Sequence, residues 1–360
     1  WKDCGRMNRI GVSSYTLEKL TGFVTGLGQP AFRAKQLFSW LHEKRVQEFS
    51  AMTNLPKSFL QQLEQQCTIE TLRPLRKQCA KDGTVKYLFG LADGNSIETV
   101  LMRYSYGNSV CVSTQVGCRM GCRFCASTQG GRVRNLTAGE IANEIYAVMA
   151  DTGERVSHIV LMGIGEPLDN FDNVMDFLSI ISCPQGVNIG MRNISLSTCG
   201  LVPMMEKLAQ KKLGLTLSVS LHAPTNEMRS SMMPVNDAYP LEKLIPACRA
   251  YQRATGRRIS FEYSIARGVN DSEQTARKLA KLIEGMGAHV NLIPINPVDG
   301  SPYSAADAAN VRRFQNTLLS LGVNATVRRR LGTEISAACG QLRREANKEG
   351  TPANGIVRQN

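Results

Sequence analysis

Cys118, Cys122 and Cys125, in the run G-C-R-M-G-C-R-F-C, place three thiols in a C-x3-C-x2-C spacing. Thiolates are the usual protein ligands of 4Fe–4S clusters, and a cluster that only relays electrons uses four of them. Three ligands leave one iron open to a further molecule, so the spacing predicts a cluster that does chemistry. The competing readings are a structural zinc site or inert thiols. Zinc sites close with four Cys or His ligands, commonly in paired C-x2-C units, and no nearby histidine completes this one.

A chain of 360 residues with 42% hydrophobic content has room for about two domains and a large core. Its 11 cysteines are odd in number and scattered, unlike a small disulfide framework, so reduced thiols are expected. Forty-three Lys and Arg against 30 Asp and Glu leave a net charge of +13. Such an excess calls for an acidic partner, nucleic acid being the commonest, or else is a solvated basic surface. No apolar run reaches about eighteen residues, and the opening W-K-D-C-G-R-M-N has no apolar stretch for a secretory signal. A cytoplasmic protein without a membrane segment is expected.

The elements that must position the thiols follow from hydrophobic periodicity. From Thr16 to about Cys67, apolar residues recur every three or four positions, as in amphipathic helices. In the middle helix Phe32, Leu37, Phe38 and Leu41 are expected to bury one side. Residues 1–80 are thus read as a small helical accessory domain, possible contact surface for RNA. T-V-K-Y-L-F-G-L and S-I-E-T-V-L-M-R, joined by A-D-G-N, predict a β-hairpin extension over 81–104. Over 105–344, apolar strand runs alternate with helical patterns such as Ala138–Met149, Leu241–Ala254 and Glu273–Met286, which indicates βαβ units around a parallel sheet. Six such units are fewer than a closed barrel needs. The expected fold is therefore α/β, an open, partial (β/α)6 barrel with a lateral gap for a large substrate, followed by a flexible tail over 345–360.

In β/α barrels the chemistry sits at the carboxyl ends of the strands. M-G-I-G-E-P puts Met162, Gly165, Glu166 and Pro167 there, S-L-S-T-C-G puts Ser197, S-V-S-L-H-A-P puts Ser220, Leu221 and His222, and L-I-P-I-N-P puts Asn296. Gly165 lets backbone approach a ligand closely, and the Glu166 carboxylate can accept from an ammonium or from ribose hydroxyls. The plainer readings are a satisfied structural histidine at His222, a mere strand end at Ser197 and a core side chain at Met162. G-I-G-E-P is not the G-x-G-x-x-G dinucleotide fingerprint.

Taken together, C-R-M-G-C-R-F-C-A-S-T, R-N-L-T-A-G-E-I, M-G-I-G-E-P-L-D-N, L-S-V-S-L-H-A-P, M-P-V-N, G-R-R-I-S-F-E-Y, N-L-I-P-I-N and E-I-S-A-A-C-G-Q-L resemble the RlmN/Cfr family of radical S-adenosylmethionine (SAM) adenine methyltransferases. The likeness runs over nearly the whole chain, and its wording is nearer the RlmN branch. The resemblance implies a radical SAM barrel whose cluster, held by Cys118, Cys122 and Cys125, chelates SAM on its open iron, with Gly165, Glu166, Ser197, Ser220, Leu221, His222 and Asn296 as the SAM rim. It implies methylation of C2 of an adenine in large-subunit rRNA and, in some members, of an adenine beside the tRNA anticodon. C2 is electron-poor and does not attack the SAM methyl as a nucleophile, so a radical route is required.

By the same resemblance Cys339 accepts the methyl, Cys111 is the resolving cysteine and Glu98 the proton acceptor, with two SAM used per methylation and a disulfide left to reduce. Also implied are a flavodoxin- or ferredoxin-type reductant, a monomer and a cytoplasmic location. Alone, Cys111 in S-V-C-V-S reads as an ordinary buried strand residue. The run Arg328, Arg329, Arg330 reads as a contact for RNA phosphates or as solvated charge. Cys4, Cys67, Cys79, Cys183, Cys199 and Cys248 have no matching role and are read as structural. The rival activities are C8 methylation of the rRNA adenine, as in the Cfr branch, a radical SAM reaction of another type, and a non-catalytic iron-sulfur RNA-binding protein.

Overall fold

The structure, a computed structural model, describes residues 9–296, 300–329, 331, 332, 335, 342 and 357–358. Its N-terminal part runs from β1 (Ile10–Gly11) through α1 (Leu17–Gly26), α2 (Phe32–His42) and α3 (Lys57–Gln66) to β2 (Cys67–Thr68), which pairs parallel with β1. Leu20 and Val24, then Ala34, Leu37, Phe38 and Leu41, then Phe59 and Leu63 are buried, one stripe per helix. Phe32 departs from the expectation: it is 54% exposed, with the Arg33 guanidinium over its ring. The stripe of α2 begins at Ala34, and Phe32, at the start of the helix, lies off it.

The chain then forms an antiparallel meander of β3 (Arg73–Cys79), β4 (Val85–Gly90), β5 (Ser96–Tyr104) and β6 (Gly107–Cys111). The hairpin foreseen in the sequence is β4 and β5. Residues 73–79, beyond the helical pattern but inside the accessory segment 1–80, form a strand that the reading lacked, and the hairpin leads into the barrel sheet through β6. A short antiparallel pair, β7 (Gln115–Gly117) and β8 (Arg132–Asn135), brackets the three-cysteine loop.

From there helices and strands alternate: α4 (Ala138–Thr152), β9 (Val156–Leu161), α5 (Phe171–Ser182), β10 (Ile194–Thr198), α6 (Val202–Gln210), β11 (Thr216–Ser220), α7 (Asn226–Met232), α8 (Val235–Ala238), α9 (Leu241–Thr255), β12 (Ile259–Ile265), α10 (Glu273–Leu282), β13 (His289–Pro294), α11 (Ala308–Ser320) and β14 (Asn324–Val327). β6 and β9 to β14 lie side by side, all parallel, in sequence order. β14 ends the sheet on one side and the meander extends it on the other, so among the described residues the barrel stays open, as expected from its unit count. Of the tail over 345–360, only β15 (Val357–Arg358), paired with β3, is among the described residues.

Two-residue alternation decides what the barrel presents inward. In β10, β11 and β12 the residues Leu196, Leu217, Val219, Phe261 and Tyr263 are buried in the core under the helices. Their alternates, Ser197, Ser220, Glu262 and Ser264, line the central cavity. These three strands thus turn polar side chains toward a cavity otherwise walled largely by apolar ones, with Ser220 directly beside Glu262 and Glu262 beside Asn291.

The N-terminal unit is joined to the barrel at the start of α4. Thr137 and Glu140 form a reciprocal capping box there. The Thr137 hydroxyl also donates to Glu70 Oε1 at 2.9 Å, as does that of Ser14 at 2.5 Å. The Glu70 carboxyl fills the space between Gly11 and Gly139, where an added Cβ would meet it at 2.6 Å, and burial raises its pKa. Thr137→Ala, which removes the cap and the Glu70 contact together, is expected to lower unfolding free energy by about 1–2 kcal/mol. Chemical denaturation of the variant beside Thr137→Ser, which keeps the hydroxyl, checks this.

Candidate active site

The carboxyl ends of the strands open on a cavity of about 600 Å³ that runs from the three-cysteine loop to the meander. Cys118, Cys122, Cys125, Gly165, Glu166, Ser197, Ser220, His222 and Asn296, all foreseen from sequence, line it. Leu221 does not: its side chain is fully buried in the core, and its carbonyl accepts from the buried Arg229 Nε at 3.2 Å. Arg328 and Arg329 also line the cavity. Cys339, Arg330 and Cys4 lie outside the described residues.

The cysteine loop is held from both ends. Gly117, at φ +77°, sits where a Cβ would come within 2.0 Å of the Gly131 carbonyl, so only glycine fits. Cys118 N donates to that carbonyl at 3.0 Å. The Thr128 hydroxyl donates to the carbonyls of Cys122 and Cys125, and Arg123 N to Met232 O at the end of α7. Asp169, from the G-E-P-L-D-N run, accepts from Arg119 on the loop, from Arg132 on β8 at 2.7 Å and from Gln115 on β7 at 2.9 Å. Burial alone would raise the Asp169 pKa, but the hydrogen bonds of Arg119 and Gln115 and the charges of Arg119 and Arg132 bring it below its ordinary value. The Gln115 side-chain Oε1 in turn accepts from Glu166 N at 2.9 Å, so loop and rim share one bracket.

The rim departs from the reading of Glu166 as a free acceptor. Its carboxylate already takes two backbone donors, Leu168 N at 3.1 Å and Cys199 N at 2.8 Å, and is also met by the side chains of Thr198 and Cys199. Burial raises its pKa. His222, at φ +57°, accepts the Ser264 N–H on Nδ1 at 2.8 Å, so the neutral ring carries its proton on Nε2. Burial, aided by the charge of Arg229, pushes the imidazole down to about 3, which keeps it neutral at physiological pH. The Phe124 ring, from the cysteine loop, meets it edge-on with centroids 4.8 Å apart. His222 is therefore a structural histidine and a cavity wall at once.

Glu98 and Cys111 share the inner face of the meander. Glu98 forms an ion pair with Lys86 at 3.0 Å, both side chains buried. Cys111 pairs in register with Val100, which pairs with Lys86, and packs with Val100, Met102, Val160, Met162 and Leu331. Val100, Met102, Met162 and Leu331 in turn line the cavity, so this face adjoins the cysteine loop. Met162 thus serves both readings, packed and cavity-lining.

Several participants were not foreseen. Glu262 lines the cavity, and its alternation in I-S-F-E-Y was the available signal. Cys199, read as structural, also lines the cavity and packs against Cys122. Lys86, Asp169, Gln115 and Arg229 act through partners distant in sequence, and nothing local announces them. Arg229 is fully buried and, among the described residues, donates to backbone carbonyls and to Asn236 Oδ1.

The donor set suits a cluster. Cys118, Cys122 and Cys125 lie on one loop and face one cavity. Burial pushes Cys118 up to about 12 and Cys122 well above its ordinary value, so they become ligands only when a metal displaces their protons into solvent. Among the described residues no group of three His, Cys, Asp or Glu side chains converges on one ion. The ligand sulfurs of a cubane bind separate irons and need not converge.

An open parallel barrel with a three-thiol loop at its mouth defines a radical SAM enzyme, and residues 112–280 match the Radical SAM superfamily. That class uses a 4Fe–4S cluster and SAM. Residues 10–69 match the ribosomal RNA large subunit methyltransferase N-terminal domain. The chain is 49% identical over 333 residues to a probable dual-specificity RNA methyltransferase RlmN of Lachnospira eligens, covering 92% of this chain and 95% of that one. A protein of the same description from Geobacillus kaustophilus is 50% identical over 343 residues, 94% of each chain. The crystal structure of a radical SAM methyltransferase from Sphaerobacter thermophilus superposes with a TM-score of 0.87 at 42% identity, covering 92% of this chain and 98% of that one. The chain belongs to the RlmN family of radical SAM RNA methyltransferases.

Gly165, at φ +108°, leaves no room for a side chain, since a Cβ would come within 2.6 Å of Gln115 Cβ. Gly165→Ala is expected to displace the Glu166 turn and to weaken SAM binding by more than tenfold, or about 1.4 kcal/mol. Isothermal titration with SAM on the cluster-loaded protein measures it; unchanged affinity would show that this turn does not hold SAM.

Proposed function

We propose that this protein methylates C2 of a specific adenine in large-subunit rRNA, and of an adenine beside the tRNA anticodon, by way of S-methylcysteine and a covalent RNA–protein adduct. The observation that carries this reading is the shared inner face, where Cys111 and the Lys86–Glu98 pair adjoin the cavity of the three-cysteine loop. A radical SAM enzyme without a resolving step has no need of a thiol and a carboxylate on that face. The relatives' printed description as dual-specificity RNA methyltransferases, and the net charge of +13, suit an RNA substrate.

In this reading Cys339 takes a methyl group from one SAM as a thiolate nucleophile. When bound, the cluster and a second SAM supply a radical that removes one hydrogen from that methyl group. The methylene carbon on Cys339 would then add to C2 and join protein to RNA, the adduct's unpaired electron returning to the oxidised cluster that the three cysteines would hold. Glu98 accepts the C2 proton, held in place by Lys86 and by the Ser113 hydroxyl, which donates to the Glu98 carbonyl at 2.7 Å. The Cys111 thiolate attacks Cys339 sulfur, the S–S bond forms as the S–C bond breaks, and the released carbon gains a proton to become the methyl group. The disulfide is reduced by an external thiol, and a flavodoxin- or ferredoxin-type donor supplies electrons. Gly165, Glu166, Ser197, Ser220, Leu221 through its backbone, His222 and Asn296 form the SAM rim, and the enzyme works as a cytoplasmic monomer. Among the described residues no helix is long and apolar enough to cross a membrane.

Incubating cluster-loaded protein with SAM, reductant and an rRNA fragment should give 2-methyladenine, located by mass spectrometry and NMR; methyl on C8 would overturn the regiochemistry. Cys339→Ala should abolish methyl transfer. Cys111→Ala should accumulate the covalent adduct, visible on a denaturing gel, and release of free product at the normal rate would remove Cys111 from the mechanism.

A further inference from the structure

Arg229 carries its charge into the interior without a carboxylate to meet it among the described residues. Its side chain, on α7, has no exposure to solvent. Nη2 donates to Cys199 O at 2.7 Å and Ser220 O at 3.2 Å, Nε to Leu221 O at 3.2 Å, and Nη1 to Asn236 Oδ1 at 3.0 Å. All of these acceptors are neutral. Among the described residues no acidic side chain pairs with Arg229, whereas Arg119 and Arg132, at the two arms of the cysteine loop, are matched by Asp169. A buried ion without a counter-ion is costly, so an anion is missing from the account.

The placement of Arg229 says where that anion belongs. The residue whose carbonyl it holds, Cys199, packs against Cys122, and so do Met232 and Met233, the turn that follows Arg229 on α7. Met232 O accepts from Arg123 N, inside the three-cysteine loop. One layer of side chains therefore separates the guanidinium from a cluster ligand. Three thiolates on a 2+ cluster core carry a net charge of 1−. Uptake of one electron from an external low-potential donor makes it 2−, and no proton need follow because the arginine is already charged.

We infer that Arg229 is a positioning and electrostatic residue for the cluster: it ties the ends of β10 and β11 together while its charge favours the reduced, more anionic cluster. The inference rests on the cluster reading of Cys118, Cys122 and Cys125. The charge acts from within the protein, where solvent screens it far less than it screens a surface lysine.

The test is the midpoint potential of the anaerobically reconstituted full-length protein, by redox titration followed by EPR. Arg229→Met removes the charge. Asn236→Asp leaves the arginine in place and sets a carboxylate against Nη1, so it cancels the charge with almost no change of shape. Both are expected to lower the reduced-to-oxidised ratio at a fixed applied potential by on the order of tenfold, equivalent to about 59 mV for one electron, while Arg229→Lys keeps it nearer the wild-type value. If Arg229→Met fails to assemble, Asn236→Asp decides. A variant of either kind with full iron and sulfide content and the wild-type potential would overturn the inference. A wild-type chain that takes up no iron and sulfide would overturn the cluster reading beneath it, a result distinguishable from the first.

Discussion

The bracket of Asp169 and Gln115 is the constraint on which the site depends. A loop that offers three thiols to a cluster has no regular secondary structure to fix it, and its backbone must be placed by side chains. Asp169 binds Arg119 and Arg132 on the two arms of that loop, and Gln115 binds Asp169 while holding Glu166 N. The Arg119 end is largely exposed and adds little energy. What matters is the nearly buried carboxylate, which fixes the loop relative to the turn that faces the ligand. Gly117 and Gly165 complete the constraint, because both sit against neighbours that would collide with any side chain.

A second constraint operates on the meander. An ion pair buried as fully as Lys86–Glu98 stabilises a fold little better than two apolar residues would. Its presence on the cavity side is thus better explained by a carboxylate that has to be there and a lysine that holds it. Ser113 adds to this by linking a strand, a turn and a helix: its hydroxyl donates to the Glu98 carbonyl of β5 and accepts from Ile164 N, and its own N–H meets the buried Glu144 of α4. The strand end carrying Cys111 and the strand carrying Glu98 are therefore tied to each other and to the G-I-G-E-P turn.

Much of this was legible in the sequence, because local periodicity carries it. The alternation of strands and helices gave an open barrel, and the ends of those strands gave Gly165, Ser197, Ser220 and His222. β3 was missed because R-P-L-R-K-Q-C has a proline and three charges, the pattern of a strand far from the buried middle of a sheet. Pro74 is tolerated there beside a break in the ladder between it and Arg76. Arg229, Lys86 and Asp169 were missed for another reason. Each is an ordinary charged residue in its own neighbourhood, and acquires its role only from partners brought near by the fold. Leu221 erred in the opposite sense, since motif membership does not reveal that its side chain points into the core.

The three thiols are not equally sheltered. Cys118 and Cys122 are buried, whereas Cys125 is only partly so, and all three face a cavity wide enough to receive a purine. An opening of that size does not exclude dioxygen. Damage to the loop by oxidants will therefore start at Cys125, where thiol chemistry has the easiest access. The width that suits the barrel to a nucleic-acid substrate makes it an enzyme for reducing surroundings, whose working life in air is set by the most exposed of its three ligands.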